Sequence, residues 1–454
     1  MPSKLSSAAE LGDYVSISAG MAIACSGYTV MAELSGIVTG VPYLIAIAAA
    51  GALCMAISGS IAFLASSYPS APGVRTYLRG ALGDFPSLLA TFTVLAIVPL
   101  FAGAESYTLA LSLRSVIPIS PYVLAPAAIL FVVSINLFGL QLPRTIQFAL
   151  GVALIAGTLL LGGMALLGPM EGGAPLPAAP VRSGAEQAAR ALTAVGSAVF
   201  LYTGFEWVTP LGRGPAAYRR LIPISMPLAL GILMVMYVLF AAGLQRRLAP
   251  GELASNPIPH MLLGERVAGA RGILLAAVLS ALSTLTTFNA GLMGASRLLY
   301  ALAREGKLPR FVSHISMRTG VPAVAVLLIG GAALLAALVE ILLDLQVAAA
   351  IAAAALYCLV YASFVWAGLR HRARDPSGDA HFRNPVPRAV QWGLCLALPL
   401  LAVATAASDG ALRPKVMTGV TVVLASCLLL ARWSFRAGNQ ARPARAVLNQ
   451  NEAR

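Results

Sequence analysis

Long runs of apolar positions, broken only by short polar joints, fill nearly the whole of this chain. A helix that crosses a bilayer needs about 20 mostly apolar residues. About twelve stretches meet that length, centred near Ala24, Ala52, Ala96, Leu130, Ala156, Val199, Leu233, Leu285, Leu328, Leu356, Leu398 and Val422. The pattern predicts an all-α integral membrane protein of about 12 transmembrane helices. Longer polar connections are expected around Gly172, Ala254 and Asp379.

Two of the apolar runs carry a matching interruption. The first reads Cys25-Ser26-Gly27-Tyr28 and runs on to Glu33; the second reads Tyr202-Thr203-Gly204-Phe205-Glu206. In each, a hydroxyl residue precedes glycine and an aromatic ring, with a carboxylate further along. Such a cluster gives a helix reasons to open, and the freed backbone groups find no partner in lipid. They persist only where they line a protected cavity, and paired broken helices in two halves mark a transporter's substrate site. The breaks fall in the first span of each group of five. An odd number of spans per group forces opposite orientations, so the expected plan is a 5+5 inverted repeat with broken helices 1 and 6 and two extra C-terminal helices. The expected boundaries are 1–12 for an N-terminal segment, 13–167 and 189–369 for the repeats, 389–433 for the added pair and 434–454 for a basic tail. Pro42 is expected to open the second span and Pro69 and Pro72 to close it. Asn136 and Gly139 end the fourth span, and Pro143 starts the fifth.

Composition sharpens this picture. The 454 residues are 59% hydrophobic and 11% charged, with a mean hydropathy of +0.83, against roughly 25% charged in soluble domains. That leaves no soluble catalytic domain. The net charge of +14 does not point to nucleic acid. With the N-terminus placed in the cytoplasm, most Lys and Arg fall in inside loops, among them Arg75, Arg79, Arg213, Arg304, Lys307, Arg370 and Arg388. A multi-pass protein of the plasma (inner) membrane with both termini cytoplasmic is expected, its partners being lipid and a small-molecule substrate. The loop with Arg246, Arg247, Arg266 and Arg271 is the exception. Cys25, Cys54, Cys358, Cys395 and Cys427 read as small buried side chains, and His260, His314, His371 and His381 as loop residues. No cofactor or metal is expected.

The stretch Asn289 through Pro309 carries Asn289, Ser296-Arg297, Tyr300 and Arg304-Glu305-Gly306-Lys307-Leu308-Pro309. It resembles the eighth-span signature of the amino acid–polyamine–organocation superfamily of permeases. His314 and Gly320-Val321-Pro322 resemble its following loop, Phe200 to Glu206 its sixth span, and Asn136, Gly139 and Gln147 its fourth-to-fifth junction. The resemblance implies a leucine-transporter-like fold and a secondary transporter of amino acids or amines. Departures stand in the first span, where Cys25-Ser26-Gly27-Tyr28-Thr29 replaces the usual Gly-Ser-Gly-Ile-Phe, and in the fifth, which lacks the lysine of some proton-coupled members.

The expected substrate contacts are Cys25, Ser26, Gly27, Tyr28, Phe200, Tyr202, Thr203, Gly204 and Asn289. A substrate carboxylate is placed against the free N–H groups at Ser26 and Gly27, and an ammonium against carbonyls at Tyr202, Thr203 and Gly204. Phe200, Tyr202 and Tyr28 read either as gates or as packing. Glu206 either exchanges a proton as a coupling acid or holds the opened backbone in shape. Glu105 either faces the cavity and favours a cationic substrate, or lies near the outer end, hydrated or paired with Arg114. Ser283, Thr286 and Thr287 offer oxygen ligands for Na⁺ or bond back to their own helix; H⁺ or Na⁺ is the expected coupling ion. Glu340 and Asp344 are expected to be solvated, and Arg297, Arg304 and Glu305 to lock cytoplasmic loops. His-Glu-x-x-His, Gly-x-Ser-x-Gly and a phosphate loop are absent from the sequence, which argues against an enzyme or an ATP-driven pump. The readings that stand are an amino acid transporter, ion-coupled or exchanging; an amine, polyamine or ethanolamine permease; and a transport-inactive sensor or partner subunit.

Overall fold

A computed structural model describes residues 4–68, 73–139, 144–169, 183–212, 217–374, 382–407 and 412–452. Pro69, Pro72, Pro143, Arg213 and His381 lie outside the described residues. Every regular element among those described is helical. The chain runs through α1 (Lys4–Ala22), α2 (Cys25–Ile37), α3 (Val41–Ser67), α4 (Val74–Leu82), α5 (Asp84–Arg114), α6 (Pro121–Leu137), α7 (Arg144–Leu167) and α8 (Gly184–Ala198). Two 3₁₀ turns, Val199–Tyr202 and Phe205–Leu211, and a π turn, Ala217–Leu221, lead into α9 (Ile222–Arg247). Then come α10 (Pro250–Ser255), α11 (Pro259–Arg304), α12 (Ala323–Leu342), α13 (Gln346–Arg374), α14 (Arg388–Ala406) and α15 (Leu412–Glu452).

Among the described residues, ten helical spans are long and apolar enough to cross a membrane. The pair Glu10–Ala22 and Cys25–Ile37, bent by 56°, adds a broken eleventh, and Pro121–Leu137 is a shorter apolar helix. These ten or eleven spans and the one shorter helix stand where hydropathy gave about twelve apolar stretches. Pro42 lies in the first turn of α3, where its missing N–H costs no helical bond. Gly139, two residues past α6, holds φ +67°, a left-handed angle that glycine adopts without strain.

The connection near Ala254 contains more structure than its polarity suggests. It holds α10 and the first part of α11, which folds back at Ala268 and Gly269 (φ +57°). The backbones of Gly264 and Gly272 touch at that fold, so a side chain on either would separate the two arms. The segment lies against α2, where the Thr29 hydroxyl donates to the Pro257 carbonyl at 2.8 Å.

Candidate functional site

Both expected interruptions exist, and they meet. α1 ends at Ala22, Ala24 is extended (φ −103°, ψ 142°), and α2 begins at Cys25. The first opening therefore lies at Ile23 and Ala24, just before the predicted motif; Cys25, Ser26 and Gly27 form the first turn of α2. In the second, Thr203 is extended and Gly204 takes φ +104° between the two 3₁₀ turns. A Cβ on Gly204 would lie 2.7 Å from the Met21 carbonyl oxygen, so one opened backbone rests directly on the other. The Ser18 hydroxyl adds a 2.9 Å bond to the Phe205 carbonyl.

Glu105 explains where α2 starts. From α5 its carboxylate accepts the Cys25 N–H at 2.8 Å, the Ser26 N–H at 2.8 Å, the Ser26 hydroxyl at 2.7 Å and the Thr284 hydroxyl at 2.8 Å. Unpaired N–H groups and the helix dipole both favour an anion there. The expected seat for a substrate carboxylate is thus filled by the protein's own carboxylate, with no solvent exposure. Glu105 is neither at a hydrated outer end nor bonded to Arg114. Its partners lie far away in the chain, and its sequence neighbours gave no sign of them.

A polar chain continues from this point. His260 Nε2 lies 3.1 Å from Ser112 Oγ and 2.8 Å from Ser280 Oγ. Both serines donate their single proton to carbonyls of their own helices, Thr108 and Ala276, at 2.9 Å. That assigns the imidazole hydrogen to Nε2 and leaves Nδ1 buried without a partner. Tyr28 stacks on His260 with ring centroids 4.2 Å apart, and its hydroxyl lies 3.2 Å from Thr158. His260 is therefore a buried helical residue and not a loop histidine. His371 also sits on a helix, α13, with Nδ1 3.1 Å from the Tyr68 hydroxyl.

The remaining candidates separate into distinct neighbourhoods. A cavity of about 380 Å³ lies beside the second opening, among Met21, Phe101, Thr203, Gly204, Trp207 and Thr287. Glu206 lines another, of about 560 Å³, with Trp207 and Arg297. Its Oε2 accepts the Gly204 N–H at 3.2 Å and the Tyr361 hydroxyl at 2.9 Å, so the acid does brace the opened backbone. Asn289 points away from the first cavity; its Oδ1 accepts from Asn136 at 2.7 Å, beside a space of about 540 Å³ shared with Gln147, Ser296 and Arg297. Arg297, on α11, lines both the Glu206 cavity and this space, the second together with the loop residues Gly320, Val321 and Pro322.

Phe200 and Tyr202 are buried in packing contacts. The Phe200 ring lies 6.0 Å from Phe101, and the Tyr202 hydroxyl donates to the Ile47 carbonyl at 2.9 Å. In the expected ion site, Ser283 and Thr286 bond back to their own helix, through Ser280 and Leu282. Thr287 instead reaches the Ile23 carbonyl at 2.8 Å, and the Gly20 carbonyl lies 3.5 Å from both threonine hydroxyls. Among the described residues, no group of three or more His, Cys, Asp or Glu is placed to hold a metal.

Away from the openings, Glu340 contradicts its expected solvation: it is buried against Gly103, and both oxygens lack a partner. Asp344, as expected, is solvent-exposed. At the opposite end of α5, Arg75 is fully buried and pairs with Asp84 and, at 2.9 Å, with Glu305. Lys307 Nζ lies 2.6 Å from Asp84, and Arg79 reaches Glu305 at 3.5 Å. Glu305 therefore joins α4 to the end of α11, and Asp84 brings in the start of α5 through Arg75 and Lys307.

A family model described as "Amino acid permease" matches residues 13–430 of the chain. Among curated proteins, an uncharacterized transporter of Mycobacterium tuberculosis is 30% identical over 302 residues, which cover 63% of this chain and 63% of that protein. The cationic amino acid transporter 4, vacuolar, of Arabidopsis thaliana is 32% identical over 142 residues, 30% of this chain and 23% of that protein. Among solved structures, a mutant manganese transporter of Eremococcus coleocola aligns over 97% of both chains with a TM-score of 0.62 and 14% identity. That likeness shows the leucine-transporter-like helical fold expected from the sequence.

Proposed function

This chain belongs to the amino acid permease family, and from that premise we propose that it is a secondary transporter and not an enzyme. It moves a small amino acid across the membrane by alternating access, coupled to H⁺ or Na⁺ or by exchange. The contact of Gly204 with the Met21 carbonyl carries this reading. Two opened backbones from the two halves meet beside a cavity, and rocking one half against the other would expose that junction to each side in turn. The repeats at 13–167 and 189–369, the plasma membrane and cytoplasmic termini belong to the same proposal.

A second reading has its own support. Glu105 already fills the anion seat at α2, which favours a cargo that presents only an ammonium group: an amine, a polyamine or ethanolamine. Purified protein in liposomes, given labelled amino acids and amines without ATP, decides between them. Uptake of amino acids supports the first reading and uptake confined to amines the second. Binding without flux leaves a sensor or partner subunit and removes both.

A further inference from the structure

We propose that Glu105 is a placeholder for the carboxylate of the cargo: an amino acid binds by displacing it from the α2 N-terminus, and Glu105 takes up one proton as it leaves. This rests on the amino acid reading above and adds the coupling ion and its residue.

The four groups facing Glu105 all act as donors: the N–H groups of Cys25 and Ser26 and the hydroxyls of Ser26 and Thr284. Four donors and no acceptor suit the ionised form. The shell contains no cation. α2 supplies Cys25, Ser26 and, beyond them, Tyr28; α9 supplies Tyr237; α11 supplies Thr284, with Ser280 and His260 further along. A second carboxylate arriving at the same N–H pair would find only the helix dipole, worth about half a positive charge, against two negative charges. Two carboxylates that share one site do not both stay ionised.

The exchange balances. Before it, the cargo carboxylate is hydrated and Glu105 is ionised on its donors. Afterwards the cargo carboxylate accepts the Cys25 and Ser26 N–H groups, and Glu105 carries one proton from the water that admitted the cargo. Release on the other side reverses both steps, so one proton crosses with each amino acid. A cargo without a carboxylate leaves Glu105 seated and carries no proton.

The test uses full-length protein in liposomes with a trapped pH dye. The probes are two pairs, alanine with ethylamine and arginine with agmatine, each differing by one carboxylate. The expected result is one proton entering per amino acid and none with an amine. In Glu105→Gln, proton entry is lost and the pH profile of amino acid uptake is flat. Thr284→Val keeps the side-chain shape but removes one donor to the ionised form. Protonation then becomes easier, and the pH midpoint of uptake moves to the alkaline side by about one unit. Amino acid uptake without proton entry, or an unmoved midpoint in Thr284→Val, overturns the placeholder and leaves the transport reading intact. If no member of either pair moves, the transport reading falls and this proposal with it.

Discussion

Gly27 and Gly204 have the same standing in the motif, yet their surroundings differ. A Cβ on Gly27 would meet a Leu201 methyl at 3.4 Å, an ordinary contact, whereas one on Gly204 would press on the Met21 carbonyl at 2.7 Å from a left-handed backbone. The left-handed conformation alone costs an L-residue about 1–2 kcal/mol. Gly204→Ala should therefore lower the thermal unfolding temperature and abolish uptake, and Gly27→Ala should leave both near wild type. Equal damage from the two substitutions would contradict the asymmetry. Tyr361→Phe removes one of two bonds to Glu206. It should cost about 0.5–1.5 kcal/mol in a denaturation assay, the net contribution of a typical hydrogen bond.

At the scale of elements, the ion-pair cluster behind α4 decides how the end of α11 is held. Asp84 meets three cations, Arg75, Arg79 and Lys307, and Arg75 has no exposure. Asp84→Ala leaves a buried guanidinium with one partner fewer, a change that costs about 3 kcal/mol or more. Arg79 is 45% exposed, and an exposed pair contributes about 0–1 kcal/mol. Thermal unfolding should thus rank Asp84→Ala far below Arg79→Ala, and similar values for the two would remove the cluster's role as a tie. The same logic governs α2. Its start at Cys25 was not readable from local pattern, because the anion that caps it comes from α5.

Across the whole molecule, a few bonds join distant segments of the chain at the openings. Thr287 donates to the Ile23 carbonyl and Ser18 to the Phe205 carbonyl, whereas Ser283 bonds within its own helix. Thr287→Val and Ser18→Ala should each lower stability by about 1 kcal/mol, with Ser283→Ala close to neutral, as measured by chemical denaturation. A Ser283→Ala loss as large as that of Thr287→Val would show that all three hydroxyls act alike.

The span count, the two interruptions and the family resemblance were legible in the chain because each is a local property. Hydropathy over a window sets what can cross lipid. A hydroxyl beside glycine marks the neighbourhood of each opening, at Thr203 and Gly204 itself in the second and just after Ile23 and Ala24 in the first. Position within the fold was not legible. His260 and Glu340 read as loop and surface groups by the polarity of their neighbours, and folding buried both. Glu105 and Glu206 were visible as acids in apolar runs. Only tertiary contact decided that the first caps α2 and the second braces Gly204. A buried charge is defined by its partners, and those partners come from distant parts of the chain whose approach no local pattern encodes.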